Sequence, residues 1–146
     1  MYAFHIHLIG ILLAAIASMI LGMVWYSPVL FGVPWMKYVG MTPEVMNEAK
    51  KDPAIKKRIN LGYLGTFIFA LLAAYILGLF LKNMFVPSIV DAIRIGFFAW
   101  LGFVAPSMSG EYLFNTKPKP WHLYAINAGY WFVSLLLMSA ILFFFV

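Results

Sequence analysis

Four long apolar runs, nearly free of charged side chains, divide this chain and constrain its fold more than any other feature. They run from about Phe4 to Tyr26, Ile59 to Leu81, Ile89 to Ala105 (extending as far as Gly110) and His122 to Val146. At about 1.5 Å per residue, each is long enough to cross a hydrocarbon core about 30 Å thick. Lipid offers no hydrogen-bond partners, so each backbone must satisfy itself, which makes the runs helices. Only 10% of the 146 residues are charged, against about 25% in an ordinary soluble domain. The bilayer must therefore act as solvent, and residues 1–146 read as a single membrane domain. The chain has no cysteine, which excludes disulfides, thiol catalysis and thiolate metal sites. The first run has neither the basic flank nor the small-residue cleavage site of a signal peptide, so it reads as a retained span.

The sequence also repeats itself. Ile59-Asn60-Leu61-Gly62-Tyr63 recurs as Ile126-Asn127-Ala128-Gly129-Tyr130, each opening a long apolar run. Upstream, Gly22-Met23-Val24 and Pro28 are echoed by Gly102-Phe103-Val104 and Pro106. Leu30-Phe31 and Pro34-Trp35 are echoed by Leu113-Phe114 and Pro120-Trp121, in the same order. The expected architecture is an all-α, polytopic membrane protein of four transmembrane helices, arranged as two parallel two-helix repeats. The first repeat is 1–81, with a cytoplasmic insert at 37–58, and the second is 89–146. Each repeat crosses twice, so the copies point the same way and a pseudo-two-fold along the membrane normal relates them. Inverted repeats instead have their axis in the membrane plane.

Basic residues set the orientation. The first connection holds Lys37, Lys50, Lys51, Lys56, Lys57 and Arg58, and the third holds Lys117 and Lys119. The opposite side holds Lys82, with Arg94 just inside span three. The positive-inside rule puts connections one and three in the cytoplasm and both termini outside. The net charge of +5 is thus a topology signal, and nucleic acid is not an expected partner. Within the insert, Thr42-Pro43-Glu44 supplies an N-cap, a first-turn proline and a first-turn acid, which predicts a short helix. Asp52-Pro53 repeats that signal at the start of the helix that becomes span two. Lys56, Lys57 and Arg58 then lie at headgroup level, where they either fix topology alone or attract anionic lipid.

Small residues recur every fourth position in span one (Gly10, Ala14, Ser18, Gly22) and span two (Gly62, Thr66, Ala70, Ala74, Gly78). Such stripes let two backbones approach closely. They are expected to hold spans one and two together, with a homodimer face as the rival reading. In span three, Gly96, Ala99, Gly102 and Ala105 recur every third residue, and Phe97, Phe98, Trp100 and Phe103 are expected on an outer face that meets lipid or a partner.

The repeated motifs converge at one depth. Pro28 and Pro106 are expected to end spans one and three, leaving carbonyls without donors. Asn60 and Asn127 offer amide donors at the starts of spans two and four, with Tyr63 and Tyr130 on the same faces. The expectation is that each Asn bonds carbonyls freed beside a proline, since unpaired polar groups in lipid are costly. Trp25, Trp35 and Trp121 suit an interfacial aromatic belt, with the Pro-Trp elements starting short interfacial segments. The polar set Asn60, Tyr63, Asn127, Tyr130, Ser27 and Glu111 either closes helix ends or lines a solute cavity. Glu111 would need a partner such as Lys117 if it faced the bundle. Asp91 and Arg94 share a face as a local ion pair or a gate. His5 and His7 form a pair too small for a metal site, which wants three or four ligands. His122, beside Trp121, reads as interfacial. No catalytic residue set, metal site or cofactor motif emerges.

Trp25-Tyr26-Ser27-Pro28, followed by Leu30-Phe31-Gly32 and Trp35-Met36, together with Asn127-Ala128-Gly129-Tyr130-Trp131, resembles a bacterial family of small four-helix membrane proteins. That family is catalogued as a domain of unknown function, and the likeness covers nearly the whole chain. It implies the four-helix fold and the bacterial inner membrane, and it implies no activity, ligand or site. Three readings of function follow. The first is an oligomeric protein that binds or passes a small solute near its cytoplasmic polar ring, with lipids and further copies as partners. The second is an accessory or assembly subunit of a larger membrane complex. The third is a lipid- or quinone-modifying enzyme using Glu111.

Overall fold

The computed structural model describes residues 7–114 and 119–146, and every regular element among them is helical. Helix α1 is Leu8–Trp25, α2 is Gly32–Val39, α3 is Pro43–Lys51 and α4 is Pro53–Asn83. Helix α5 (Ile89–Ala99) passes through a π-helical turn (Trp100–Val104) into α6 (Ala105–Leu113). Helix α7 (Trp121–Leu142) ends in a short 3₁₀ turn. Among the described residues, four helical stretches are long and apolar enough to cross a membrane: Leu8–Trp25, Pro53–Asn83, Ile89–Leu113 and Trp121–Phe145.

Capping follows the sequence signals. The Thr42 hydroxyl accepts the Val45 N–H and starts α3. The Asp52 carboxylate accepts the Ala54 N–H at 2.8 Å and starts α4 behind Pro53. Helix α2 stops at Gly40, whose φ of 74° is open to glycine without strain. Its neighbour Met41 returns an N–H to the Met36 carbonyl at 3.0 Å. At 31 residues, α4 is about 46 Å long, well beyond the hydrocarbon thickness.

Proline behaves differently at its two expected helix ends. Pro28 lies in the turn that follows α1, as anticipated. Pro106 does not end the third span, which runs on to Leu113. The π turn explains this. The Ala105 N–H reaches back five residues to the Trp100 carbonyl, so the helix is already widened where the proline ring enters without a donor. The two Pro-Trp elements differ as well. Pro34-Trp35 sits inside the short α2, but Pro120-Trp121 opens α7 directly.

Helix α7 is the centre of the bundle and packs against α1, α4 and α5, whereas α4 and α5 barely meet. It buries residues on several faces, Tyr130, Ser134, Leu135 and Met138 among them. The core joins Ala14 and Ala15 of α1, Ala70 and Ala74 of α4, and Leu135 and Met138 of α7. The small stripe of α1 meets α7 and the turn that follows it, where Gly10 abuts Phe145, Ser18 touches Ser134 and Gly22 abuts Tyr130, while α1 also packs against α4, with Ala14 in one core with Ala70 and Ala74. The stripe of α4 divides. Ala70, Ala74 and Gly78 are buried, while Gly62 and Thr66 are exposed. Lipid is as apolar as these side chains, so close van der Waals fit holds the helices together. The fit is tight where the second half of α4 joins α1 and α7. The first half of α4 leaves the bundle, and a cavity opens there.

Candidate functional site

The C-terminus of α1 and the N-termini of α4 and α7 meet at one end of the bundle, so both Asn-x-Gly-Tyr motifs stand at the same end. The turn after α1 builds one wall. The Ser27 hydroxyl donates to the Val24 carbonyl at 2.7 Å. The Ser27 carbonyl accepts the N–H groups of Leu30 and Gly32, at 3.1 and 2.9 Å. Gly32 is required at this point. A β-carbon there would lie 2.6 Å from the Ser27 carbonyl oxygen and closer still to that of Tyr26. The Trp-Tyr-Ser-Pro…Phe-Gly pattern thus encodes a folded corner that turns the chain from α1 into α2.

The neighbouring side chains tie this corner to α7. The Trp25 indole donates to the Ile126 carbonyl at 3.0 Å, and the Tyr26 hydroxyl donates to the Asn127 side-chain oxygen at 3.1 Å. The Tyr26 ring also packs on those of Trp35 and Tyr130. Below them, Ser18 lies 2.7 Å from Ser134 and 3.1 Å from the Tyr130 hydroxyl, all buried.

The expected pairing of each Asn with proline-freed carbonyls is replaced by another arrangement. Asn127 accepts from Tyr26, and Asn60 lies exposed on α4. Apart from the Ser18–Ser134 hydroxyls, indoles and phenols supply the donors that cross between helices. Besides Trp25, the Trp100 indole donates to the Ala128 carbonyl at 2.8 Å, and the Tyr124 hydroxyl donates to the Ala105 carbonyl at 2.9 Å, next to Pro106. Trp100, expected on the outer face of span three, instead turns toward α7, because its indole N–H needs a partner; Tyr124 carried no signal beyond the same need of its O–H.

The cavity has a volume of about 860 Å³, within the range of about 300–1,000 Å³ usual for small-molecule sites. Tyr63 and Tyr130, the two tyrosines of the repeated motif, both line it, as do Tyr26 and Trp35. Asn60 and Asn127 do not. Five of the nine methionines of the chain contribute to the wall: Met19, Met23, Met36, Met41 and Met46. Met19 and Met23 are one helical turn apart on α1, a spacing that places them on one face. The other three come from α2, α3 and the link between them. Lys50 and Lys56 also line it.

The remaining expected residues lie elsewhere. Lys57 and Arg58 are exposed on α4 and do not line the cavity. Trp121 stacks on Tyr112 and meets Tyr124 edge-on, remote from Trp25 and Trp35 in its contacts. His122 stacks on Tyr38. Glu111 is largely exposed and forms an ion pair with Lys119. That hydrogen bond holds the Lys119 ammonium above its ordinary value. Lys117, the anticipated partner, and His5 lie outside the described residues. Asp91 pairs with Arg94 at 2.7 Å and accepts from Ser88 at 2.6 Å, a local cluster at the start of α5. No group of three or more His, Asp or Glu residues that could hold a metal occurs among the described residues.

These features define an all-α protein of the multi-pass membrane class, with a methionine- and tyrosine-lined cavity at one end of its four-helix bundle. Residues 9–143 match the family model described as "Protein of unknown function (DUF1761)", and the chain belongs to that family. No curated protein and no solved structure matches it.

Proposed function

We propose that this protein binds a small, largely apolar solute in the cavity between the α1–α2 corner, α3 and the first half of α4. The observation that carries this reading is the cavity itself: a partly open, largely apolar volume of ligand size with few polar groups. Methionine walls suit such a role, because unbranched thioethers adapt to occupants of different shape. Binding is favoured over permeation through one copy, since the fully buried Ser18–Ser134 contact fills the bundle centre below the cavity. Passage of solute would require assembly with further copies or a membrane partner. The basic connections support a cytoplasmic location for the cavity end, both termini outside and, with the family resemblance, a bacterial inner membrane. We read the two hairpins as diverged copies, with the cavity lined mainly by the copy that carries the insert at 37–58 and closed by Tyr130 of the other.

The test uses a neutral alkyl-diazirine photoprobe on the protein in lipid nanodiscs. Labelling is expected to concentrate on cavity residues such as Met19, Met36 and Met46 over the exposed Leu64 and Phe69 of α4. Thr66→Trp, which fills the cavity from an exposed position, should suppress it while helicity and melting are retained. Labelling spread evenly over exposed apolar residues, and indifferent to Thr66→Trp, would reject the reading.

A further inference from the structure

Two cations face an otherwise apolar cavity without a matching carboxylate. Lys50 lies in the last turn of α3 and Lys56 three residues into α4, and both line the cavity. The ion pairs among the described residues are Arg94–Asp91 and Lys119–Glu111, so neither lysine has an acidic partner there. The nearby acids form no ion pair with either lysine. Asp52 caps α4 through the Ala54 N–H, Glu44 is held at the start of α3 by Thr42, and Glu48 is exposed outside the lining. Both ammonium groups are exposed to solvent as well as lining the cavity, so a head group held by them stays in contact with water while its chain lies in the cavity.

We propose that the occupant is an anionic amphipath, its alkyl chain among the five methionines and its charged head between Lys50 and Lys56. This assignment rests on the cavity reading above and adds the charge. The chemistry fits both ends. Flexible thioethers and the rings of Trp35, Tyr63 and Tyr130 accept a chain of no fixed length. Two lysines at the rim provide charge-assisted hydrogen bonds to a carboxylate or phosphate. The same chemistry is carried by a single-chain acid arriving from water and by an anionic phospholipid inserting one chain from the bilayer.

Trp35 lines the cavity and reports on its occupant. The experiment measures quenching of tryptophan emission by 11,12-dibromostearate and by its uncharged alcohol, with the protein in phosphatidylcholine nanodiscs. Saturable quenching by the acid is expected, lost in Trp35→Phe. The alcohol, and the acid on Lys50→Gln/Lys56→Gln, should bind about tenfold more weakly. Arginine at both positions should restore affinity, and Lys57→Gln, outside the lining, should leave it unchanged. Added salt should weaken the acid and spare the alcohol. Brominated phosphatidylglycerol in the nanodisc provides the second arm. Quenching by it that free stearate cannot displace assigns the site to bilayer lipid, whereas displacement assigns it to the free acid; both support the anionic class. Equal affinity for acid and alcohol would overturn the charge assignment and leave the cavity reading intact. Absence of saturable quenching by either would overturn both.

Discussion

The Ser18 hydroxyl lies 2.7 Å from that of Ser134, and both side chains are fully buried where α1 crosses α7. The Tyr130 hydroxyl stands 3.1 Å from the Ser18 hydroxyl and 3.3 Å from the Ser18 carbonyl. One assignment satisfies all three hydroxyls: Ser134 donates to Ser18, Ser18 to Tyr130, and Tyr130 to the carbonyl. Small side chains allow the backbones to meet, and the hydroxyls then bond across the gap.

Removing one member tests that network. Ser18→Ala should destabilise the protein by about 0.5–1.5 kcal/mol. The cost stays modest because the freed Ser134 hydroxyl can turn back to a carbonyl of its own helix. A double-mutant cycle of Ser18→Ala with Ser134→Ala should give a coupling near 0.6 kcal/mol. Reversible unfolding in mixed detergent micelles measures both. Purely additive effects would show that the contact is packing alone.

Two glycines separate a required position from a permissive one. Gly32→Ala forces a β-carbon into the carbonyls of Tyr26 and Ser27, so the corner after α1 must open. A loss of about 1–3 kcal/mol is expected, as for other overpacked sites. Protease cleavage between α1 and α3 should also become faster. Gly62→Ala meets nothing within 4 Å and lies mid-helix, where alanine is favoured by up to about 1 kcal/mol. It should be neutral or stabilising. A reversed order in melting experiments would contradict the corner geometry.

The four spans, the capped α3 and the start of α4 were legible because their signals are local. Apolar run length, Thr42-Pro43-Glu44 and Asp52-Pro53 each act within a turn or two. What failed to show was which faces meet. The α1 stripe of Gly10, Ala14, Ser18 and Gly22 announces a close contact but does not say that α7 shares it with α4. Pro106 reads as a stop, because nothing in the sequence reveals that a π turn at Trp100–Val104 will absorb it. The cavity was half visible. Tyr63 and Tyr130 were marked by repetition, but the methionines that line it come from α1, α2, α3 and the link at Met41. Only the exit of α4 from the bundle brings them together.

Glu111 was the leading carboxylate of the sequence, and its surface position predicts a small role in stability. Exposed ion pairs contribute little, so Glu111→Gln should lower the melting temperature at neutral pH only slightly. The pair still has a pH signature. The Lys119 value is raised in the folded protein by the Glu111 hydrogen bond. Its contribution is therefore fully present below the ordinary lysine range and fades as pH rises through the raised value. Melting curves of the parent and Glu111→Gln should converge at strongly alkaline pH. A large drop in Tm at pH 7 would show that Glu111 is held by more than Lys119.

Ser139 offers the opposite case, a polar group whose removal should help. Its hydroxyl is fully buried on α7 and has no hydrogen-bond partner among the described residues. It sits against Gly96 of α5, where the backbones are so close that a β-carbon on Gly96 would lie 2.8 Å from the Leu135 carbonyl oxygen. Burying a hydroxyl without a partner costs about 1–3 kcal/mol in proteins. Ser139→Ala keeps the β-carbon that packs there and removes the unsatisfied oxygen, so it should raise stability by up to about 1 kcal/mol. Gly96→Ala should lower it by about 1–3 kcal/mol, and Ser139→Ala should recover only part of that loss, because the Leu135 carbonyl stays in the way. Unfolding free energies of the two single variants and the double variant decide the matter. If Ser139→Ala destabilises instead, the hydroxyl has a partner, and the α5–α7 contact is held by a hydrogen bond as well as by fit.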